Sequence, residues 1–242
     1  MIHLDDRGNV ALLTIDRPSR RNALDHEALE QLLEAHTRSA GARVVVLTGA
    51  DGHFCAGADL SGVEDTSFTD LLRQVLGALR DDPRPLIAAV DGAALGAGTQ
   101  LAVACDLRVA TAGARFGIPA AKLGLMIDHW TIQRLSLLAG AGSTRAMLLG
   151  AETFGGEDAE RLGFVQRLGG LDDALGWAED IAALAPLTLA GLKLSLNRLE
   201  MPVSLGDDPE VRAAWDAAWA SEDLQEGIAA FRERRRPVFH GR

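Results

Sequence analysis

The stretch DGAALGAGTQLAVACD, residues 91–106, decides the fold of this chain. It follows a short apolar run, passes through a triplet of small residues at 96–98 and continues as an apolar helix. A second run of small residues, HFCAGADL at 53–60, ends another predicted strand. Small side chains let backbone N–H groups approach a ligand closely, and a helix N-terminus adds positive partial charge. Two such donors aimed at one point would form an oxyanion hole, which stabilises the enolate of a thioester.

The composition limits the class of protein. The 242 residues are 48% hydrophobic and carry a formal net charge of −10. This length fits one large domain, or one domain with an appendage. Nucleic acids and anionic membranes bind basic surfaces, so the acidic balance argues against both as partners. The apolar runs are too short to insert into a membrane. Cys55 and Cys105 lack metal-ligand spacing and no signal peptide is seen, so we expect a cytoplasmic protein without metal.

Apolar runs and helical periodicity alternate along the first two thirds of the chain, which indicates an α/β layer architecture. Predicted strands lie at 10–15, 44–48, 86–90, 107–111 and 114–118. Predicted helices begin at Asp25 and near Ala97, and others cover about 67–80, 129–139, 143–150 and 157–162. Beyond residue 169 the pattern is almost wholly helical. Trp215 and Trp219 lie at i, i+4 in that region, and we favour packing against another subunit over packing in the chain's own core.

Four motifs in fixed order extend over almost the whole chain. They are RPSRRNALD at 17–25, CAGADL at 55–60, the glycine turn and helix ending in CDLRVA at 110, and EGIAAFRERRRPVF at 226–239. With these motifs the chain resembles the crotonase, or enoyl-CoA hydratase/isomerase, superfamily. The resemblance implies an α/β fold in which residues 1–190 form a spiral of β-β-α units with two near-perpendicular sheets. It also implies that residues 191–242 form a helical region that builds trimers or dimers of trimers.

The resemblance implies a coenzyme A thioester as ligand and no further cofactor. In the family the oxyanion donors are the residue before the aspartate of the AGAD motif and the middle residue of the glycine triplet. Those positions are Ala58 and Ala97 here. The second is more often glycine, but alanine keeps the N–H. The residues expected to contact acyl-CoA are Arg21, Ala23, Ala56, Gly57, Ala58, Asp59, Leu60, Leu95, Gly96, Ala97, Trp130, Phe231 and Arg234.

Arginine pairs bidentately with phosphate, and coenzyme A carries several phosphate charges. We therefore expect Arg21 and Arg234 at the nucleotide end of the ligand, with Arg234 coming from a neighbouring subunit beside Phe231. A solvated cationic helix end is the alternative for these arginines. The lid and the acyl tunnel are expected in segments 61–79 and 124–138, where Trp130 hints at an apolar channel.

The chain departs from the family at the two glutamates that hydratases use to hold and activate water. The resemblance places Gln100 and Ala120 at those positions. Glutamine orients water without titrating usefully, and alanine does neither. General acid–base groups contribute on the order of 10²–10⁴-fold each, so we expect thioester binding with little hydration.

Asp128, in GLMIDHW at 124–130, is the remaining carboxylate near the expected site. Some members of the superfamily with isomerase or dehalogenase chemistry place an aspartate at the matching position. A desolvated Asp128 is a candidate general acid or base. It also lies where the following helix needs an N-cap, which is an equally direct explanation.

Two functions from different classes therefore stay open. One is a non-catalytic fatty acyl-CoA carrier that presents thioesters to a partner enzyme of lipid metabolism. The other is an acyl-CoA isomerase or related lyase, with Ala58 and Ala97 holding the enolate and Asp128 moving the proton.

Overall fold

The structure is a computed structural model that describes residues 1–59, 66–199, 216, 219–235 and 237–238. The strands within these ranges are β1 (Ile2–Asp6), β2 (Val10–Ile15), β3 (Val44–Gly49), β4 (Leu86–Val90), β5 (Ala93–Leu95), β6 (Leu107–Ala110), β7 (Arg115–Gly117), β8 (Thr153–Gly155) and β9 (Arg167–Leu168). The helices there are α1 (His26–Arg38), α2 (Thr66–Asp81), α3 (Ala97–Ala104), α4 (His129–Ala139), α5 (Ala141–Leu149), α6 (Gly156–Arg161), α7 (Leu171–Ala182), α8 (Pro186–Leu199) and α9 (Glu222–Glu233). Strand and helix segments alternate, as the sequence pattern predicts.

Two sheets organise the molecule. The main sheet has the strand order β1-β2-β3-β4-β6-β9, and a smaller sheet has the order β5-β7-β8. In the main sheet β1 is antiparallel to β2, and the other neighbouring strands are parallel. Parallel neighbours need a crossover connection, which α1 supplies between β2 and β3 and α2 supplies between β3 and β4.

The central strands are apolar at nearly every position because helices cover both faces of the main sheet. Successive side chains of a strand point to opposite faces. In β3, Val45 and Leu47 belong to the core beneath α1, α2 and α3, whereas Val44 and Val46 pack against α7. The chain thus builds one core on each side of the main sheet, and the first of these cores also contains residues of the smaller sheet.

Local signals in the sequence explain the helix limits. Asp25 caps α1, with its side chain accepting a hydrogen bond from Ala28 N at 2.9 Å. At the end of α6, Gly163 has a φ of 77°, the left-handed conformation that glycine adopts readily after a helix. None of the helices in the described ranges has the length and apolar content of a membrane-crossing segment.

Several expectations need correction. Strands β1, β5, β8 and β9 are additional to the predicted strands. The expected boundary between residues 190 and 191 lies within the span of α8, and the division into two regions stays a prediction. Trp219 packs against the chain's own core, and its Nε1 lies 3.3 Å from Met126 O, so its packing is intramolecular. Trp215 lies outside the described residues.

Candidate active site

A largely apolar cavity of about 290 Å³ lies beside the two small-residue segments. Its other walls come from α2, from the 3₁₀ turn Ala120–Leu123 with the segment that follows, and from the C-terminal region. Of the residues that the sequence singles out, those lining the cavity are Ala56, Gly57, Ala58, Leu95, Gly96, Ala97, Gln100, Ala120, Asp128 and Phe231. Both motifs therefore meet at one cavity.

The first motif turns the N–H of Ala58 away from its strand partner. Ala58 forms a parallel bridge with Leu24, in which Leu24 N donates to Gly57 O at 2.8 Å and Asp59 N donates to Leu24 O at 2.6 Å. A parallel bridge uses the groups on either side of its central residue. The N–H of Ala58 is therefore left on the opposite edge of this segment.

The second motif presents the N–H of Ala97 at a helix start. Gly96 is the N-cap of α3, and Ala97 is its first residue. The N–H groups of the first turn have no carbonyl partner inside a helix. Gly98 lets α3 approach the first motif, because a Cβ at that position would lie 2.1 Å from Cys55 O.

Backbone contact between the two motifs depends on two glycines. Gly57 has a φ of 110°, and a Cβ there would lie 3.0 Å from Leu95 O and 3.9 Å from Ala97 N. Gly96 has a φ of 52°, and its Cβ would lie 3.8 Å from Gly57 Cα. Both conformations favour glycine. The loops that carry Ala58 and Ala97 are thus packed against each other at the cavity wall.

Gln100 and Asp128 form a hydrogen-bonded pair in the cavity wall. Gln100 Nε2 donates to Asp128 Oδ2 at 2.8 Å. Thr131 donates to the same carboxylate twice, from its N to Oδ1 at 2.8 Å and from its Oγ1 to Oδ2 at 2.6 Å. Asp128 is therefore the N-cap of α4, as one of the two sequence interpretations holds. A carboxylate has about four lone-pair positions, and protein donors occupy three of them.

Arginines of the N-terminal motif surround Asp59, which lies just outside the cavity lining. Arg17 Nη2 and Arg20 Nε lie 4.0 Å and 3.9 Å from Asp59 Oδ2. Arg17 also pairs with Asp25 and donates to the carbonyl of Ala23. These charges hold the N-terminal segment against the first motif, and Ala23 contributes its backbone there. Leu60 lies outside the described residues.

Asn22 is a structural residue that the sequence analysis misses. It is fully buried, with a φ of 58°, and its Nδ2 donates to Ala50 O at 2.8 Å and His53 O at 2.5 Å. Its Oδ1 accepts from Arg17 N at 2.8 Å. A single asparagine between two arginines and an alanine carries no periodic signal, so only the folded contacts identify its role.

Besides Ala23 and Asp59, three further residues expected to contact the ligand lie away from the cavity lining. Trp130 is 3% exposed and packs in the core against the guanidinium groups of Arg80 and Arg134, whose Cζ atoms lie 5.6 Å and 5.7 Å from its ring centroid. The idea that Trp130 lines an acyl channel is not supported by this position. Arg21 and Arg234 are exposed, at the ends of a 3₁₀ turn and of α9. Phe231 lines the cavity of its own chain.

One face of α2 supplies wall residues that the sequence analysis places only within a broad segment, 61–79. They are Phe68, Thr69, Leu72, Arg73 and Leu76, which recur at helical spacing. The 124–138 segment contributes Leu125, Met126, Ile127 and Asp128. The helical periodicity of α2 predicts an apolar face. Periodicity alone does not show whether such a face packs in the core or lines a cavity.

The two cysteines are buried, and their environment disfavours the reactive thiolate form. Burial raises the pKa of Cys55 and of Cys105 to about 12, so neither thiol ionises readily. The Cys55 Sγ lies 3.8 Å from Gly57 O, within the first motif. Its small, apolar side chain fills space behind the cavity wall.

Comparison with known proteins identifies the family of the chain. The family model "Enoyl-CoA hydratase/isomerase" matches residues 5–242. The probable enoyl-CoA hydratase echA6 of Mycobacterium tuberculosis is 42% identical over 252 residues, covering 100% of both chains. The 2,3-dehydroadipyl-CoA hydratase of Escherichia coli is 36% identical over 244 residues, covering 96% of both.

Solved structures show the same fold. A crystal structure of methylmalonyl-CoA decarboxylase has a TM-score of 0.91 at 25% identity, covering 100% of this chain and 98% of that one. An enoyl-CoA hydratase/isomerase family protein from Hyphomonas neptunium has a TM-score of 0.79 at 31% identity, covering 100% and 98%. The sequence motifs, the paired sheets and these matches lead to one conclusion: the chain has the crotonase fold and belongs to the enoyl-CoA hydratase/isomerase family.

Proposed function

We propose that this chain binds the acyl part of a coenzyme A thioester in the cavity, with the N–H groups of Ala58 and Ala97 donating to the thioester oxygen. The observation that carries the proposal is the backbone contact between Gly57 and the Leu95–Ala97 turn, which brings the two motifs together at the cavity wall. Preorganised N–H donors in a site that excludes water stabilise developing negative charge strongly. Apolar walls suit a fatty acyl chain.

We further propose that the chain is a poor hydratase and acts as a fatty acyl-CoA carrier. Gln100 and Ala120 line the cavity at the positions that the family resemblance assigns to the hydratase glutamates. The Gln100 amide does not titrate, and its Nε2 already donates a hydrogen bond to Asp128. Binding and carbonyl polarisation then remain without efficient addition of water.

An acyl-CoA isomerase is the second candidate, and one observation favours it. Asp128 lines the cavity, and within the described residues its Oδ1 has a single protein donor, Thr131 N. A lone pair on that oxygen is a possible proton acceptor for a bound acyl chain. Turnover of enoyl-CoA isomers that disappears in Asp128→Asn, with thioester binding retained, would establish this candidate over the carrier.

The oxyanion donors are tested by removing one N–H. Ala97→Pro replaces the donor by a ring carbon at the first helical position, where proline is compatible with a helix. Ala141→Pro is the matched control, because Ala141 begins α5 after a glycine N-cap in the same way. Titration calorimetry with hexanoyl-CoA should show at least tenfold weaker binding for Ala97→Pro and unchanged binding for the control. Equal affinity of both variants, with both folded, would refute the assignment.

The explanation of low hydratase activity is tested by placing glutamates at positions 100 and 120. Gln100→Glu combined with Ala120→Glu should increase hydration of crotonyl-CoA by a factor on the order of 10² or more, read from the loss of enoyl absorbance. Ala121→Glu on the same turn serves as the control for an added carboxylate. A double variant that binds thioester but hydrates no faster would contradict our explanation of low activity.

The proposal has further parts. Arg21 and Arg234 reach the nucleotide end of coenzyme A, since both are exposed and arginine pairs with phosphate. No cofactor beyond the thioester is needed. We also propose that the chain forms a homotrimer or a dimer of trimers and is located in the cytoplasm. In this proposal it transfers the thioester to an enzyme of lipid metabolism.

A further inference from the structure

One cation lies in the largely apolar wall formed by α2. Among the described residues that line the cavity, Arg73 is the only basic one, and Asp128 is the only acidic one. Arg73 shares its helix face with Leu72 and Leu76. A face that packs only against a hydrocarbon chain has no need of a guanidinium, because a charge near apolar groups must be paired or hydrated.

Arg73 has capacity for a second anionic partner. Its Nη1 lies 2.8 Å from Asp70 Oδ1, and the side chains are 27% and 62% exposed. An i, i+3 pair in which one partner is mostly exposed contributes little stability. In the part of the chain that the structure describes, this bond uses Nη1, whereas a guanidinium carries five N–H donors in a planar fork. An anion inside the cavity can therefore bind Arg73 while the protein loses little of the stability that the Asp70–Arg73 pair contributes.

We propose that Arg73 forms a subsite for a carboxylate carried by the acyl group, so that the preferred ligands are dicarboxylic acids joined to coenzyme A by one thioester. This inference rests on the proposed function, because it requires that the cavity hold the acyl part. The carboxylate accepts a charge-assisted, bidentate hydrogen-bond pair from the guanidinium, which gives both affinity and orientation. The apolar walls hold the methylene groups between the two ends.

An anion on coenzyme A itself offers the same chemistry as a carboxylate on the acyl chain. The position of Arg73 beside Phe68, Leu72 and Leu76 favours the acyl group, because apolar neighbours suit a hydrocarbon chain better than hydrated phosphates. A third arrangement has the arginine stem covering the apolar wall with its head in water. These arrangements predict different relative affinities for two thioesters whose acyl chains have the same length.

Calorimetry with matched pairs of thioesters distinguishes these three arrangements of Arg73. Butyryl-CoA is compared with succinyl-CoA, and hexanoyl-CoA with adipyl-CoA, so that each pair differs at the terminal group. In the unaltered protein we expect at least one dicarboxylic ligand to bind about tenfold tighter than its partner, a difference of about 1.4 kcal/mol. Arg73→Met keeps the stem and removes the charge. It should abolish this preference and change the affinity for the monocarboxylic ligand less than threefold.

Control variants make the outcome specific. Asp70→Asn releases Arg73 from its partner and should increase the preference for the dicarboxylic ligand. Arg38→Met removes an exposed cation of α1 that pairs with Glu34, and should leave all affinities unchanged. Melting temperatures check that each variant folds.

Three results would overturn the inference. In the first, Arg73→Met weakens the binding of both members of a pair, and of free coenzyme A, by the same factor. That result would assign the arginine to the phosphates of coenzyme A. Binding of hexanoyl-CoA without preference for adipyl-CoA in the unaltered protein would leave the proposed function standing and remove the subsite. Failure of every thioester to bind would overturn both.

Discussion

Asp82 shows how one buried charge is kept ionised by its neighbours. Its side chain is 3% exposed, with Oδ2 2.6 Å from His36 Nε2 and 2.6 Å from Arg84 Nη2. Burial alone would raise the pKa of Asp82, but hydrogen bonds from His36 and Arg84 hold it well below its ordinary value. Because the folded pKa is depressed, the stabilisation is complete above the unfolded value of about 3.9 and is lost as the pH falls below it.

We expect Asp82→Asn to lower the free energy of unfolding by about 3 kcal/mol at neutral pH, since it leaves Arg84 without its buried counter-ion. The difference from the unaltered protein should shrink below about pH 4, where Asp82 becomes protonated in the unfolded chain while the native carboxylate stays ionised. Urea unfolding over the acid range measures both effects. Asp5→Asn is the control, because Asp5 and Arg7 form a pair that is 55% and 46% exposed. A pH-independent difference would contradict the assignment.

The cysteine thiols give a second prediction at the level of single residues. Since burial raises the pKa of Cys55 and Cys105 to about 12, we expect no reaction of the native protein with a disulfide reagent at about pH 8. Both thiols should react after unfolding in guanidinium. Spectrophotometric thiol titration counts them, and rapid reaction of either thiol in the native state would show that the site is more open than described.

At the scale of the element, α3 is placed by close backbone approach. Gly98 sits on the first turn of α3, where a Cβ would lie 2.1 Å from Cys55 O. The contact is with a main-chain oxygen, so a side-chain rotation cannot relieve it. Helix α2 contains a glycine in a different situation, because a Cβ on Gly77 would meet no atom within 4 Å.

These two glycines predict opposite effects of the same substitution. Gly98→Ala should destabilise the protein by about 1–3 kcal/mol, because α3 must move away from the first motif. The same shift should weaken thioester binding, since Ala97 is part of that turn. Gly77→Ala should stabilise it by about 0.5–1 kcal/mol, the usual gain inside a helix. Thermal unfolding checks both, and a stabilised Gly98→Ala variant would disprove the described packing.

At the scale of the whole molecule, the C-terminal helix forms part of the wall of the cavity in its own chain. Gly227 allows α9 to reach the 3₁₀ turn Ala120–Leu123, because a Cβ there would lie 2.3 Å from Leu123 O. Trp219 and Phe231 line the cavity from the same region. Residues more than 90 positions apart thus form one wall, as the Trp219 hydrogen bond to Met126 shows.

We expect Gly227→Ala to displace α9 and open this wall. Thioester affinity should fall about tenfold, while the core formed by the main sheet keeps most of its stability. Hydrogen exchange should increase in α9 and stay unchanged in the central strands. Gly176→Ala in α7 is the control, because a Cβ there meets no atom within 4 Å. Unaltered binding in Gly227→Ala would mean that α9 does not form part of the ligand site.

The parts of the fold that were predictable are those that local pattern specifies. Strands β2, β3 and β4 are continuous apolar runs, and α1 has a capping aspartate with periodic leucines. Strand β1, with the sequence IHLDD, is half-exposed and polar, so its order comes from pairing with β2. The short strands β8 and β9 likewise depend on neighbours that lie far away along the chain.

The amino-acid sequence by itself determined the family, the two small-residue motifs and the residues available for chemistry, because each is written in consecutive positions. Tertiary structure alone decided which distant groups meet. It brought Gln100 to Asp128, turned one face of α2 with Arg73 towards the cavity and placed Trp130 in the core. The physical reason is that packing and hydrogen bonding act through space, and local propensity carries no information about a partner far along the chain.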